Sequence, residues 1–239
     1  MMKNRDSRLP LYQRLADEIR DQIASGKFKP GDRIPSENEF IAQYGAAAGT
    51  VRQALQELVD EKILERVHGR GTFVKKAFDS TLFRFFRFNQ NSNAPPESRM
   101  LSRELVTPAS YVQRQLKLND GDKVIHLTRL RLIDGQPALF EEINLKHKGF
   151  EHLLDYELSS FEDLLYPMYA EVCDQFIFRA EDTLCVEEST PEIRRLLRID
   201  ESLPIVVIER LAFNFGSTPV EWRRSRGRAD YFKYRVDIR

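Results

Sequence analysis

Two cysteines, Cys173 and Cys185, are all that a chain of 239 residues contains. That scarcity excludes a disulfide framework and the paired spacing of a structural zinc site. Histidine is almost as rare, and His68, His126, His147 and His152 are too scattered to suggest a metal cluster. No metal or other cofactor is expected. Long hydrophobic runs are missing as well: nothing approaches the ~18 apolar residues of a membrane-spanning helix, and the first residues lack the apolar core of a secretory signal. The expectation is a cytoplasmic protein without membrane attachment. Net charge is also absent, because 37 Lys and Arg balance 37 Asp and Glu. The balance is uneven along the chain, however. Residues 1–76 hold 14 basic against 11 acidic side chains, and the remainder 23 against 26. A weakly basic head on a weakly acidic body is compatible with nucleic acid at the head, since local placement sets the field at the phosphates.

What is present is most concentrated between residues 36 and 74. Ser36 and Glu39 have the spacing of a capping box, and Phe40 and Ile41 give the short helix after them an apolar side. Gly45 stands where a helix end needs positive φ, so the chain can reverse there. A second helix over 49–61 buries Val51, Leu55, Leu58 and Val59, and its other face carries Thr50, Arg52, Gln53 and Gln56. Such side chains suit the donor and acceptor pattern of base edges and phosphates. Two short β-patterned runs, 63–67 and 72–74, then flank His68-Gly69-Arg70-Gly71. Glycines on both sides of an arginine let a hairpin tip approach a phosphate backbone and present one cation. The order of parts is that of a winged helix-turn-helix, with the second helix in a major groove and the wing reaching for the neighbouring minor groove.

These residues also resemble a family. Leu11-Tyr12-Gln13, Gly31-Asp32, Ile34-Pro35-Ser36-Glu37, Thr50-Val51-Arg52-Gln53-Ala54-Leu55, Leu58 and Gly69-Arg70-Gly71-Thr72-Phe73-Val74 look like the N-terminal domain of GntR-type bacterial transcription regulators. The resemblance implies DNA contacts from Ser36, Glu37, Thr50, Arg52, Gln53, His68, Gly69 and Arg70. One departure stands out. Where the family usually opens its recognition helix with Ser-Arg, this chain has Ala47-Ala48. The helix therefore loses a side-chain N-cap, at a cost of about 1 kcal/mol, together with the arginine. Either the operator is read differently, or affinity leans on Arg52 and the wing.

Ahead of this stretch, Leu11, Leu15, Ile19 and Ile23 repeat every fourth residue up to Gly26, the pattern of an amphipathic helix packed behind the pair. Residues 1–8 read as disordered. Beyond Lys75-Lys76 lies a linker and then LFRFFRF over 82–88. Aromatics between arginines can stack on bases, but four phenylalanines call for burial and favour an entry into a second core. Residues 89–96 read as a loop.

From residue 99 onward the pattern is mainly β. Strands are expected over 99–105, 123–133, 136–145, 174–184, 204–215, 219–226 and 231–238. Asp134-Gly135 and Gly216-Ser217 close two hairpins. Helices are expected over 108–116, from a Ser159/Glu162 capping box to 170, and from Thr190-Pro191 to 199. The two hairpins look alike, with Arg129-Leu130 and Pro137 echoed by Arg210-Leu211 and Pro219, which suggests a pseudo-symmetric antiparallel sheet. Strand alternation puts Arg129 and Arg131 on one face with Ile125 and Leu127, and Glu141 on one face with Leu139 and Ile143. Charges on apolar strand faces are costly unless paired or used. They either pair internally, Arg129 or Arg131 with Glu141, or grip the carboxylate or phosphate of a ligand through bidentate hydrogen bonds.

This half resembles the UTRA effector domain that marks the HutC subfamily of the same regulators. The residues that carry it are Leu127-Thr128-Arg129-Leu130-Arg131, Asp134-Gly135-Gln136-Pro137, Glu141, the 197–204 connection, Pro219-Val220-Glu221, Arg228, Asp230 and Tyr231. The resemblance implies a chorismate-lyase-like fold, a six-stranded antiparallel sheet with helices on it, that binds a small metabolite and signals to the DNA heads of a homodimer. It also assigns effector contacts to Arg129, Arg131, Glu141, Glu221 and Tyr231. Where phosphosugar-binding relatives carry a Ser-containing phosphate loop, this chain has LFRFFRFNQNSN, which points toward a small carboxylate.

The sequence thus describes an α+β protein with a winged helix-turn-helix over 1–75, a linker and entry segment over 76–98, and an effector-binding and dimerisation domain over 99–239. The function expected is a ligand-responsive DNA-binding regulator of the repressor kind, acting as a homodimer on a palindromic operator and released by a small anionic metabolite. Two alternatives stand beside it: a DNA-binding protein that needs no metabolite, and a lyase-like enzyme carrying a DNA-binding head. No His or Cys pairs with an acid at a catalytic spacing, which weighs against the enzyme.

Overall fold

The computed structural model describes residues 9–75, 96–200 and 203–232, and these fall into two compact units. The expectations for residues 1–8, the 82–88 aromatic run, most of the linker and the last strand beyond 232 lie outside the described residues.

In the first unit, helix α1 (Leu11–Ala24) buries Leu15, Ala16, Ile19 and Ile23 and packs on helix α3 (Ala48–Asp60). Leu11, expected on the same stripe, is exposed at the first position of the helix. Gly26 has φ +76°, as the helix end requires. Helix α2 (Glu37–Tyr44) starts from the capping box: Glu39 N donates to Ser36 Oγ, and the Glu39 carboxylate accepts from Ser36 N at 2.7 Å. Gly45 takes the left-handed conformation, φ 61° and ψ 25°, and turns the chain. Helix α3 (Ala48–Asp60) buries Val51, Ala54, Leu55 and Leu58. Strands β1 (Leu64–Val67) and β2 (Gly71–Val74) form the wing, closed by a turn in which Arg70 N donates to Val67 O at 2.9 Å. Gly71 is required by its φ of +117°.

The second unit is one six-stranded antiparallel sheet. Its strands are β3 (Glu97–Val106), β4 (Val124–Ile133), β5 (Gln136–Lys146), β6 (Arg179–Glu187), β7 (Ile205–Phe213) and β8 (Pro219–Arg228), in the order β3-β4-β5-β8-β7-β6. Helices α4 (Ser110–Gln115), α5 (Leu165–Cys173) and α6 (Pro191–Leu197) complete it. The hint of symmetry is realised as two β-α-β-β units, β3-α4-β4-β5 and β6-α6-β7-β8, joined along β5 and β8. Asp134 and Gly135, at φ 49° and 71°, make the tight turn between β4 and β5. One face of the sheet is covered by α5 and the chain before it, through Phe150, Leu153, Leu165, Met168 and Tyr169. The other face carries α4 at one end, over Val124 and Trp222, and α6 at the other, over Phe140 and Val207.

Three expectations are corrected. The Ser159/Glu162 capping box does not form: residues 158–160 make a short 3-10 turn, and α5 begins only at Leu165, behind an N-cap with no side-chain bond. Tertiary contacts outbid the local signal there, because Phe161 is buried edge-on to Tyr156 and the Asp163 carboxylate accepts from Ser98 N at 2.5 Å. The strand expected over 174–184 is shifted to Arg179–Glu187, since Asp174 caps α5 in the left-handed region and Ile177 enters the core. Tyr231, expected to open a last strand, instead closes the 3-10 turn Ala229–Tyr231.

Candidate DNA-binding and effector-binding sites

The DNA-facing candidates lie on the two helices and the wing of the first unit. Ser36 is spent on its cap: Oγ donates to Glu39 Oε2 at 2.6 Å. These bonds hold the Glu39 carboxyl below its ordinary range. Thr50, Arg52 and Gln53 stand in the first turns of α3, with Arg52 and Gln53 exposed and Thr50 half-buried. Arg52 does not project freely. Its Nε and Nη2 both approach Glu37 Oε2 at 3.3 Å, tying α3 to α2. Glu37 therefore acts here as the partner that orients Arg52. Ala47 is the N-cap of α3 and makes no side-chain cap bond, as its residue type dictates. His68, Gly69 and Arg70 form the exposed tip of the wing, and the Arg70 guanidinium lies 5.8 Å from the centre of the Phe73 ring. The tip thus presents a cation braced by an aromatic side chain.

The effector candidates meet on the α5 face of the sheet. Register pairs Arg129 with Glu141 across β4 and β5, and Glu141 with Ser225 across β5 and β8. Arg129 Nε donates to Glu141 Oε2 at 2.5 Å, and both residues are buried. Arg129 Nη1 also reaches Ser98 Oγ at 3.3 Å. Arg131 donates to two main-chain carbonyls, Asp163 O at 2.9 Å and Pro96 O at 2.7 Å. Glu141 accepts from Ser225 Oγ at 2.8 Å and lies 3.5 Å from Arg223 Nη1.

Glu221 is fully enclosed and takes four hydrogen bonds, each 3.0 Å long. Tyr166 Oη and Arg223 Nε donate to Oε1, and Tyr169 Oη and Arg223 Nη2 donate to Oε2. Its carboxylate is committed to holding Arg223. Tyr231 sits apart, packed by Ala138, Leu139 and Ile208 with the Arg228 guanidinium 4.4 Å from its ring centre.

The electrostatics follow from burial. Desolvation opposes charge on Glu141, but Arg129, Arg223 and Arg131 together hold its carboxyl well below the usual range. Arg131 is the strained member: burial first, and the neighbouring Arg129 cation next, bring it down to about 9. Burial and the Glu221 carboxylate raise the Tyr166 and Tyr169 phenols, so both stay protonated and donate. Sequence reasoning singled out Arg129, Arg131, Glu141 and Glu221 but missed Arg223, Ser225, Tyr166, Tyr169, Ser98 and Asp163. The signal for two of them was in reach, because Glu221, Arg223 and Ser225 are alternate residues of β8 and share its face. The tyrosines come from a helix distant in sequence and carry no such signal.

A winged helix-turn-helix followed in the same chain by an antiparallel sheet with a buried polar cluster defines a class, the DNA-binding regulators that carry their own effector domain. Comparison with known proteins supplies the family. Residues 11–74 match the bacterial regulatory proteins of the gntR family, and residues 91–233 match the UTRA domain. The chain belongs to the UTRA-bearing GntR regulators. It is 31% identical over 229 residues, 94% of each chain, to the mannosyl-D-glycerate transport/metabolism system repressor MngR of Escherichia coli (strain K12). To the HTH-type transcriptional repressor NagR of Bacillus subtilis (strain 168) it is 28% identical over 235 residues, covering 97% of this chain and 96% of that one. The crystal structure of PhnF from Mycobacterium smegmatis shares the fold, with a TM-score of 0.55 at 22% identity over 96% of this chain and 99% of that one. The protein is a ligand-responsive DNA-binding transcription regulator, not an enzyme.

Proposed function

We propose that this regulator is a cytoplasmic homodimeric repressor that binds a palindromic operator and leaves it when a small anionic metabolite, a carboxylate before a phosphate, binds the effector sheet. The division of labour we infer is DNA binding by 1–75, a linker over 76–98, and effector binding and dimerisation by 99–239. The observation that carries the effector class is the cluster of Arg129, Arg131 and Arg223 on one buried sheet face. Both glutamates of that face are already hydrogen-bonded. Burial makes the charge of Arg131 costly, and an anion at its guanidinium relieves that cost. Arg129, Arg131 and Glu141 are the proposed contacts; Glu221 supports them by holding Arg223, and Tyr231, set apart from the cluster, is the weaker contact. The first relative is named for mannosyl-D-glycerate, and glycerate is a carboxylate, which agrees with the class.

In the head, Arg52, Thr50 and Gln53 are the proposed base readers, with Ser36, Glu37, His68, Gly69 and Arg70 placing the helix and wing on the backbone. A gel shift on DNA flanking the protein's own gene, repeated with small carboxylates and sugar phosphates, tests both halves. A shifted band abolished by a carboxylate is the expected result. Release by sugar phosphates alone rejects the carboxylate, and a band indifferent to every metabolite rejects the effector reading. No band at all directs attention to Ala47-Ala48, and restoring Ser-Arg there then decides whether the recognition helix is at fault.

A further inference from the structure

The effector sheet has a concave feature on the face opposite Arg129, Arg131 and Glu141. Alternation along β5 and β8 sends Glu142, Asn144, Trp222, Arg224 and Arg226 away from the arginine cluster. There the chain from Val106 through the start of α4 walls a groove of about 780 Å³, within the roughly 300–1,000 Å³ usual for small-molecule sites.

One side of the groove is aromatic and apolar. Tyr111 meets Trp222 edge to face, with ring centres 5.4 Å apart and planes at 74°, and Val106, Pro108 and Val112 extend that side. The floor is polar. His126 Nδ1 and Asn144 Oδ1 are 3.1 Å apart, which leaves the Asn144 amide group as a donor; Asn144 itself is buried. Tyr111 Oη donates to Glu209 Oε2 at 2.9 Å. Arg226 pairs with Glu142, and Arg224 pairs through Nη2 with Glu187 outside the groove while its Nε lies 3.6 Å from Glu209 Oε1.

Two carboxylates and two guanidinium groups line this space, so its formal charge cancels. An ionic ligand would gain at one pole what it lost at the other. A ligand bearing several hydroxyls has no such conflict, because it can donate to Glu142 and Glu209, accept from Arg224, Arg226 and the Asn144 amide, and lay its C–H surface on Tyr111 and Trp222. We propose that this groove is a second small-molecule site, separate from the arginine cluster, for a neutral polyhydroxylated ligand of mono- or disaccharide size. The two sites share β5 and β8, where Glu141 and Glu142, and Arg223 and Arg224, are sequence neighbours facing opposite ways.

Trp222 is the single tryptophan of the chain and reports directly on the groove. The test is a titration of the full-length protein with glucose, mannose, maltose and sucrose, and in parallel with gluconate, read by Trp222 emission. A saturable change with at least one neutral sugar is expected, stronger than with gluconate. Tyr111→Ala removes an exposed ring and Glu142→Gln is isosteric, so both variants keep the core, which thermal melting verifies. Each should weaken the apparent affinity about tenfold, the effect of one good polar contact or one aromatic platform. No saturable change with any neutral sugar overturns the proposal and leaves a solvated ion-pair surface. A response untouched by both substitutions overturns the location, and tighter binding of gluconate than of every neutral sugar overturns the ligand class.

Discussion

Two Arg–Glu pairs bring the same chemistry to the two units of this chain, with opposite consequences. In the head, Arg52 meets Glu37 at 3.3 Å with side chains 67% and 37% exposed. In the effector sheet, Arg129 meets Glu141 at 2.5 Å with side chains 1% and 8% exposed. Water screens the first pair, and exposed pairs of that kind contribute roughly 0–1 kcal/mol. The second is sealed from water, so removing one partner strands the other charge, a loss of about 3–5 kcal/mol. The exposed pair can therefore be exchanged for a phosphate or a base edge at little cost. The buried pair is fixed into the sheet by the fold itself.

The largest effect is expected where this contrast is broken from the buried side. Glu141→Ala should lower unfolding free energy by about 3–5 kcal/mol, read as a fall in urea midpoint at unchanged slope. A loss below about 1 kcal/mol would remove the distinction between the two pairs. Acid sharpens the same point. The folded pKa of Glu141 lies below its ordinary 4.5. Its contribution is thus complete above that value and drains away as pH falls below it toward the folded pKa. Stability measured against pH should drop below about 4.5 in the parent chain and more shallowly in Glu141→Gln. Equal slopes would mean other carboxylates carry the acid response.

The middle-sized effect belongs to the head. Ala47→Ser restores the missing cap of α3 and should stabilise the chain by about 1 kcal/mol, seen as a rise in Tm. No rise would show that the end of the helix is already satisfied by other groups. The smallest effect is expected from Glu37→Ala, which should change stability by less than about 1 kcal/mol while altering operator affinity, because Arg52 loses its orienting partner. A stability loss as large as that of Glu141→Ala would erase the comparison.

The legibility of the two units differs for the same physical reason. In the head, signals act over three or four residues: Ser36 and Glu39 cap α2 as their spacing demands, and Gly45 reverses the chain. Local geometry decides such features, so local sequence displays them. In the sheet, Asp134-Gly135 was equally readable, but Ser159 and Glu162 misled, because burial of Phe161 and the Asp163–Ser98 bond outweigh a cap at a solvent-facing turn. The buried polar cluster was half legible. Period 2 placed Arg129, Arg131 and Glu141 on one face, whereas Tyr166 and Tyr169 enter the cluster only because α5 folds back over β8.

By itself, then, the sequence determined the winged helix-turn-helix, the two hairpins with their turn residues, the α+β class and the family, since each rests on short-range geometry or on motifs contiguous in the chain. Tertiary structure alone decided which charges are buried and neutralised and which stay exposed. Arg129, Glu141, Arg223 and Glu221 are joined across strands up to 82 residues apart. Whether a carboxylate pairs, accepts or stays exposed depends on what burial brings beside it, and no local pattern encodes that neighbour.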